Sequence, residues 1–233
     1  MRQQRIRAVF MRGGTSKAVM FNRADLPADR ALWDPIFLSA LGSPDGEGRQ
    51  LDGMGGGVSS LSKVCIVGPP SRPDADVDYT FGQVAVRDAL VDYSGSCGNM
   101  SSAIGPFALE EGMLPGAPRD GEVTVRIHDT NARRIIVARF QARDGEEMVE
   151  GDLALDGVAG TGAPIRLDFM DPGGGRTGHL LPGGGARGAL DIPGLGVVGA
   201  TMVDAASPAV FVRAADLGAT GVETPAELEA NPA

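Results

Sequence analysis

The segment YSGSCGNMSS, residues 93–102, places a thiol between small, flexible residues and directly before an apolar pattern with helical spacing. The apolar positions recur at i, i+3, i+4, i+7 and i+8, which predicts a helix that begins near Gly98 and buries one face. Cys97 is then expected at or just before the first turn, where free amides and the helix dipole favour an anion such as a thiolate. The buried positions of this predicted helix are Met100, Ala103, Ile104, Phe107 and Ala108.

A second interpretation of Cys97 is a buried packing residue, because free cysteine is among the most buried residue types. Gly95 and Gly98 let a substrate approach the backbone closely and therefore favour a reactive thiol. The rest of the chain is needed to decide between the two interpretations.

The composition is acidic and rich in glycine, with 233 residues, 35 glycines and a formal charge of −9. This length can bury a substantial core in one or two domains. The negative charge argues against nucleic acid and anionic membrane surfaces as partners, and no apolar run approaches the roughly 20 residues of a membrane span. Two cysteines without a secretory signal indicate a cytoplasmic protein. His128 and His179 stand far apart, and no ligand spacing predicts a metal site.

A glycine-rich loop, residues 11–17, lies between two predicted strands. It ends in Ser-Lys rather than Lys-Ser and leads into a strand, so it does not match a nucleotide-binding P-loop. Exposed amides in such a loop form a nest for anions, and Arg12 with two hydroxyl groups adds donors that suit a carboxylate. An ordinary hairpin turn is the alternative.

A second glycine-rich loop, residues 52–57, precedes a strand that begins near Lys63. Alternation puts Lys63 and Cys65 on one face of this strand, and Val64 and Ile66 on the other. Because lysine is rarely buried unless it is paired, Lys63 is expected either at an exposed edge or in a site. Cys65 is better explained as a small packing residue than as a second reactive thiol.

The remaining pattern alternates short strands with a few helices. Gly105-Pro106 is expected to kink the central helix or split it into two pieces, and His128, beside a hairpin turn, is expected at the surface. Strands are predicted over residues 6–10, 18–21 and 77–86, a hairpin over 123–140, and further strand over 197–212. Helices are predicted over 25–41, capped by Asp29, and over 217–230, with a capping box at Thr224.

Seven short motifs form one combination along the chain: MRGGTSK at 11–17, DGMGG at 52–56, SKV at 62–64, CGNM at 97–100, GPFA at 105–108, DAASP at 204–208 and GATGVE at 218–223. This combination resembles the family of 2-methylaconitate cis-trans isomerase, whose relatives include 4-oxalomesaconate tautomerase and aconitate Δ-isomerases. The resemblance implies an α+β, diaminopimelate-epimerase-like fold. In that fold each of two lobes wraps a mainly antiparallel β-sheet around a central helix, with the active site in the cleft between them. The expected lobes are residues 1–160, carrying Lys63 and Cys97, and an incomplete second lobe at 161–233.

The resemblance also implies an active site. In that family a lysine on a strand and a cysteine ahead of the central helix act on the substrate, and these positions match Lys63 and Cys97. The two glycine-rich loops resemble the family's carboxylate-binding parts, and Ser207 stands where the family usually has an asparagine that contacts substrate in related epimerases. The expected substrate-binding residues are Arg12, Gly13, Gly14, Thr15, Ser16, Gly55, Gly56, Ser59, Ser60, Ser96, Gly98, Asn99 and Ser207.

These residue types suit a cofactor-independent isomerase that shifts a double bond, or changes its geometry, in an unsaturated di- or tricarboxylate. One group removes an acidified C–H proton, another returns a proton at the vinylogous carbon, and hydrogen-bond donors hold the dienolate charge. Either Lys63 or Cys97 can be the base, and no metal or organic cofactor is required. The candidate substrates are 2-methylaconitate, 4-oxalomesaconate and aconitate.

Two alternative functions are considered. An amino-acid epimerase or racemase on the same scaffold would usually need a second cysteine in the other lobe, and residues 161–233 contain none. Family members are longer, so the resemblance also allows an inactive, truncated relic that binds small carboxylates. An incomplete second lobe would expose apolar strand edges and favour association into a homo-oligomer.

Overall fold

The fold is given by a computed structural model that describes residues 3–231 and divides into two compact units between residues 170 and 171. The first unit is built on a nine-stranded sheet and the second on a three-stranded sheet. The lobe boundary expected after residue 160 stays a prediction. No helix in the described range is long and apolar enough to span a bilayer.

The large sheet is mixed. Its main path runs β1-β2-β3-β4-β6-β7-β8, with β5 paired to β4 and β9 to β7. The β2–β3 and β4–β6 pairs are parallel and the others antiparallel. The strands are β1 Val9–Gly13, β2 Ser16–Asn22, β3 Lys63–Gly68, β4 Val77–Val84, β5 Val91–Asp92, β6 Gly121–Asp129, β7 Arg134–Arg143, β8 Glu146–Glu147 and β9 Arg166–Phe169.

The two α-helices of this unit, α1 (Trp33–Leu41) and α2 (Gly98–Glu110), pack with opposite faces of the large sheet. Cys65 and Val67 of β3 belong to the core cluster that contains the apolar side of α2. Val64 and Ile66 belong to the cluster around α1. The alternation predicted for β3 is therefore confirmed, and it assigns the Lys63–Cys65 face to the α2 side.

Helix α2 begins at Gly98, as predicted, and runs without a break to Glu110. The expectation that Gly105-Pro106 splits it into two pieces is wrong. Pro106 is buried, and a Cβ on Gly105 would come within 2.8 Å of the Phe140 ring. Close packing against β7 thus holds the segment helical despite the missing amide hydrogen of proline.

The helix predicted over residues 25–41 is shorter than expected. Two 3₁₀ turns, Arg23–Asp25 and Arg30–Leu32, precede α1, and Asp29 caps the second turn by accepting from Ala31 N at 3.0 Å. Leu26 adopts an extended conformation before Pro27, as residues before proline usually do, and this interrupts the helix.

His128 is buried, so its expected surface position is wrong. It lies in β6 beside β4, in a parallel register that places it opposite Asp78. Its Nδ1 lies 2.9 Å from Asp78 Oδ1, and only 8% of the residue is exposed. The hairpin itself is confirmed, because β6 and β7 pair antiparallel from Gly121–Ala142 to Asp129–Arg134.

The second unit contains an antiparallel sheet in the order β10-β11-β12 and a short helix. The helix is confirmed only over α3, where the Thr224 capping box is present. The predicted start at residue 217 is wrong, because Leu217 ends a 3₁₀ turn, Ala214–Leu217, that Gly218 terminates. The elements are β10 Gly188–Ile192, β11 Gly196–Ala205, β12 Ser207–Val212 and α3 Pro225–Glu229.

The contact between the β1–β2 turn and α2 gives a first prediction. A Cβ on Gly13 would lie 2.6 Å from the Asn99 carbonyl oxygen and 2.8 Å from Met100 Cα. We expect Gly13→Ala to lower the free energy of unfolding by about 1–3 kcal/mol, measured by urea denaturation, because backbone must move to admit the methyl group. Gly95→Ala is the matched control, since a Cβ there meets nothing within 4 Å. Equal effects of the two substitutions would contradict the prediction.

The pH dependence of stability gives a second prediction. Burial, and secondarily Glu110, raises the pKa of Glu147 to about 7. Ionising this carboxyl group is harder in the folded state than in the unfolded state. The contribution of Glu147 to the free energy of unfolding therefore falls as pH rises from about 4.5 to 7, and it is constant above that range. We expect Glu147→Gln to stabilise the protein near pH 8 and to have little effect near pH 4, measured by thermal unfolding. The exposed Glu150→Gln is the control, and a difference independent of pH would contradict the cause.

Candidate functional site

Lys63 is the first residue of β3 and is only 7% exposed. Its Nζ donates to Gln83 Oε1 at 2.7 Å and lies 5.0 Å from the centre of the Phe81 ring. Within residues 3–231, no carboxylate forms a salt bridge with it. A buried ammonium group normally has a negatively charged partner. An anionic ligand could therefore supply the countercharge that Lys63 lacks.

Gln83 is a part of this site that the sequence analysis missed. It pairs across the antiparallel β3–β4 ladder with Lys63. Its Nε2 donates to the carbonyl oxygens of Ser59 at 3.0 Å and Ser62 at 2.8 Å. The proline-rich turn between these strands was the available signal, since a hairpin centred near Pro73 brings residues 63 and 83 together.

Cys97 is the N-cap residue of α2 and is half-buried. Its side chain makes no capping hydrogen bond, and the first turn contains no acidic residue. The first amides of a helix lack partners within the helix, and the dipole there favours negative charge. The start of α2 is therefore suited to an anion, either the thiolate of Cys97 or a carboxylate of a ligand.

Asp129, a second residue that the sequence analysis missed, anchors the segment before Cys97. Ser96 Oγ donates to Asp129 Oδ2. The other oxygen of this buried carboxylate accepts from the backbone of Asn131 at 3.0 Å and Ala132 at 3.1 Å. Ser96 is thus held by the β6–β7 turn, and its hydroxyl is engaged with the protein.

Lys63 and Cys97 lie on the same side of the sheet. Both residues affect the pKa of the fully buried Cys65 thiol. Burial raises the Cys65 pKa most, the charge of Cys97 raises it further, and the charge of Lys63 lowers it. Cys97 also packs against the cluster that contains Cys65. The predicted amine and thiol therefore both lie on the side of the sheet that carries Cys65, which is a packing residue as expected.

The β1–β2 turn reaches the first turn of α2. Asn99 Nδ2 donates to Thr15 Oγ1 at 2.9 Å and to Ser16 Oγ at 3.4 Å. Gly14 has a φ of 55°, which a glycine adopts without strain. The turn therefore contributes its hydroxyl groups to the Cys97 end of the helix, while Arg12 of β1 is exposed beside it.

The second glycine-rich loop is held by a buried amide. Gln50 Nε2 donates to Ser43 Oγ at 2.8 Å and Ser62 Oγ at 2.7 Å, and its Oε1 accepts from Gly57 N at 2.9 Å. A Cβ on Gly55 would come within 2.2 Å of Gln50 Oε1, so this loop needs glycine there. The arrangement ties the loop to Ser62, the residue directly before Lys63.

All but one of the predicted site residues belong to the first unit. Ser59 and Ser60 lie on the 3₁₀ turn Ser59–Leu61, and Gly56 packs close to the Leu61 side chain. Ser207 is the exposed first residue of β12 in the second unit. Among residues 3–231, no group of three or more His, Cys, Asp or Glu side chains could hold a metal ion.

Comparison with known proteins adds independent information. A family model described as PrpF protein matches residues 3–233. The chain is 44% identical over 229 residues to 3-methylitaconate isomerase of Eubacterium barkeri, covering 98% of this chain and 59% of that protein. It is 43% identical over 233 residues to 4-oxalomesaconate tautomerase of Pseudomonas putida, covering 100% and 62%. It is 41% identical to 2-methyl-aconitate isomerase of Cupriavidus necator, covering 95% and 58%. The chain thus spans about three fifths of these relatives.

Solved structures agree with the fold prediction. A crystal structure of methylitaconate-delta-isomerase superposes with a TM-score of 0.77 at 44% identity, covering 99% of this chain and 58% of that one. A probable proline racemase from Agrobacterium radiobacter superposes with a TM-score of 0.53 at 15% identity, covering 93% and 54%. The second likeness concerns fold alone. The predicted α+β, diaminopimelate-epimerase-like fold class is confirmed.

The contrast between the two thiols gives a third prediction. We expect iodoacetamide to label Cys97 in the folded protein at least about tenfold faster than Cys65, because Cys65 is buried and burial raises its pKa. Peptide mass spectrometry measures the two rates. In the Cys97→Ser variant, we expect Cys65 to be labelled only after the protein is unfolded in urea. Equal labelling of both cysteines in the native protein would contradict the burial of Cys65.

Proposed function

Because the chain belongs to the PrpF family, we propose that it carries the Lys63–Cys97 proton-transfer pair of a cofactor-independent isomerase for unsaturated di- or tricarboxylates. The reaction is a 1,3-proton shift that moves a double bond or changes its geometry. The candidate substrates are 2-methylaconitate, 4-oxalomesaconate and aconitate. A small carboxylate is accordingly the expected partner.

The observation that carries the proposal is the state of Lys63. Its amine is buried without a carboxylate in salt-bridge contact among the described residues, on the sheet face against which α2 and its N-cap Cys97 pack. A carboxylate of the substrate supplies the missing negative charge when it binds. Binding therefore brings the acidified C–H bond next to the amine and the thiol.

The start of α2 binds a second carboxylate in this proposal. Its amides and the Asn99–Thr15 pair supply donors on one side of the site. The serines of the 3₁₀ turn before Lys63 supply donors on another. Holding two carboxylates fixes the carbon skeleton between Lys63 and Cys97.

Proton transfer then proceeds between the two groups. The base removes the proton from the carbon next to a carboxylate, and the electron pair of the broken C–H bond delocalises into a dienolate. Hydrogen-bond donors around the carboxylates hold the developing negative charge. The other group returns a proton at the vinylogous carbon, so atoms and charge balance over the cycle. The assignment of base and acid between Lys63 and Cys97 is left to the experiment.

Three further proposals concern a residue of the second unit, the cellular compartment and self-association. Ser207 stays a proposed substrate-binding residue. The two free cysteines fit a reducing cytoplasm, and self-association through strand edges stays a prediction. A racemase or epimerase reaction stays the alternative, and both cysteines of this chain, Cys65 and Cys97, lie in the first unit.

A deuterium-exchange experiment tests the proposal. The chain is incubated in deuterated water with each of the three acids, and NMR follows label at the substrate carbons. We expect Lys63→Met and Cys97→Ser each to slow isomerisation by roughly 10²–10⁴-fold, the usual contribution of a positioned acid or base. The variant that also loses exchange into the starting acid identifies the base.

The control is Arg143→Lys, at an exposed position of β7 outside the proposed site. It should retain the rate of the unaltered protein. Undiminished exchange in both the Lys63 and Cys97 variants would end the proposal, and so would absence of isomerisation by the unaltered chain with all three acids.

A further inference from the structure

We propose that Gln83 is the positioning residue that fixes the rotation of the Lys63 amine, so that one tetrahedral position of Nζ is left for the substrate. The inference rests on the proposed function for its catalytic meaning. Its structural part concerns only how β4 holds the side chain of Lys63.

The orientation of the Gln83 amide is determined by its neighbours. Two carbonyl oxygens, of Ser59 and Ser62, lie 3.0 and 2.8 Å from Nε2 and can only accept hydrogen bonds. The NH₂ group must face them, and the carbonyl oxygen must therefore face Lys63. Lys63 accordingly meets an acceptor, at 2.7 Å, and no competing donor from this side chain.

Two of the positions around Nζ are then assigned. One hydrogen is donated to Gln83 Oε1, and another faces the ring of Phe81, whose centre is 5.0 Å away. Gln83 and Phe81 are two residues apart on β4, so a single strand supplies both contacts. The remaining position is a lone pair when the amine is neutral and an N–H bond when it is charged. The lone pair that accepts a proton from the substrate and the N–H bond that returns one therefore point in the same direction from Nζ.

Gln83 is itself held rigidly, which a positioning residue requires. Each polar hydrogen of its amide has a partner: Ser59 begins the 3₁₀ turn Ser59–Leu61, and Ser62 directly follows it. Ser62 is fixed further because its Oγ donates to Val84 O at 2.8 Å and accepts from Gln50. The amine of Lys63 and the turn that precedes it are therefore coupled through one neutral side chain.

A neutral amide also suits the chemistry better than an acid. Glutamate at position 83 would supply the countercharge that Lys63 lacks and would hold the amine in its charged form. Glutamine orients the nitrogen through a hydrogen bond and leaves the countercharge to the substrate. The distinction separates the orienting role of Gln83 from simple charge pairing.

Kinetics of Gln83→Met, which keeps side-chain length and removes the amide, test the catalytic part. We expect kcat to fall by roughly 10- to 100-fold with KM changed by less than about threefold, because orientation is lost while the carboxylate-binding groups remain. The matched control is Gln141→Met, at an exposed position on β7, which should leave both constants unchanged. A variant with unchanged kcat, or with a loss confined to KM, would overturn the inference.

NMR on protein labelled with ¹³C-lysine tests the structural part without substrate. The chain has two lysines, so the side-chain spectrum contains only Lys17 and Lys63. In the unaltered protein the two Hε protons of Lys63 should be inequivalent, because the amine is held on one side and lies over the Phe81 ring. Gln83→Met should bring them toward equivalence. The Lys17 signals should not move in this variant.

The two measurements separate the inference from the proposed function. If the unaltered chain does not isomerise any of the acids, the proposed function fails, and the Lys63 spectrum still decides whether Gln83 holds the amine. If isomerisation is present but Gln83→Met leaves the Lys63 Hε signals as they were, the inference is wrong and the proposed function stands. Equal changes of the Lys63 Hε signals in Gln83→Met and in the control Gln141→Met would indicate a nonspecific effect and would also overturn it.

Discussion

Burial of α2 against one face of the large sheet is the interaction on which the candidate site depends. Met100, Ile104 and Phe107 are at most 2% exposed, and each large side chain removed from water contributes on the order of 1.5–3 kcal/mol. This packing fixes the position of the first helical turn. It therefore also fixes Cys97 at the N-cap, above the same sheet face that β3 uses for Lys63. The core and the site share one set of contacts.

The candidate site suits an anion, although the chain as a whole is negatively charged. The protein carries a formal charge of −9, yet the proposed ligand is an anion. Local arrangement compensates for the overall field. Lys63 has no carboxylate partner among the described residues, and the first turn of α2 contains no acidic residue. The nearby carboxylate of Asp129 is surrounded by donors from Ser96, Asn131 and Ala132, which offset its charge.

Neutral amide side chains build the frame around Lys63. Gln50 hydrogen-bonds to the second glycine-rich loop, and Gln83 accepts a hydrogen bond from the Lys63 amine. Both glutamines also donate a hydrogen bond to Ser62. Gln50 adopts a φ of 53°, an uncommon conformation for a residue other than glycine, and its buried hydrogen bonds hold it there. Amides can donate and accept in such a frame without adding charge. The ammonium group of Lys63 therefore keeps its electrostatic effect on a ligand.

Local sequence patterns determined the elements that carry the site. Spacing placed the start of α2 and Cys97 at its N-cap, and alternation placed Lys63 and Cys65 on one face of β3, because these signals depend only on neighbouring residues. The family's motifs indicated the fold class. The contacts of Gln83, Gln50 and Asp129 were decided by tertiary structure, since each joins segments far apart in the chain through strand register or loop packing. Register likewise buried His128 opposite Asp78, and close packing on Phe140 kept α2 continuous through Pro106. The pairing of strands that no short turn connects, such as β4 with β6, is a property of the assembled sheet.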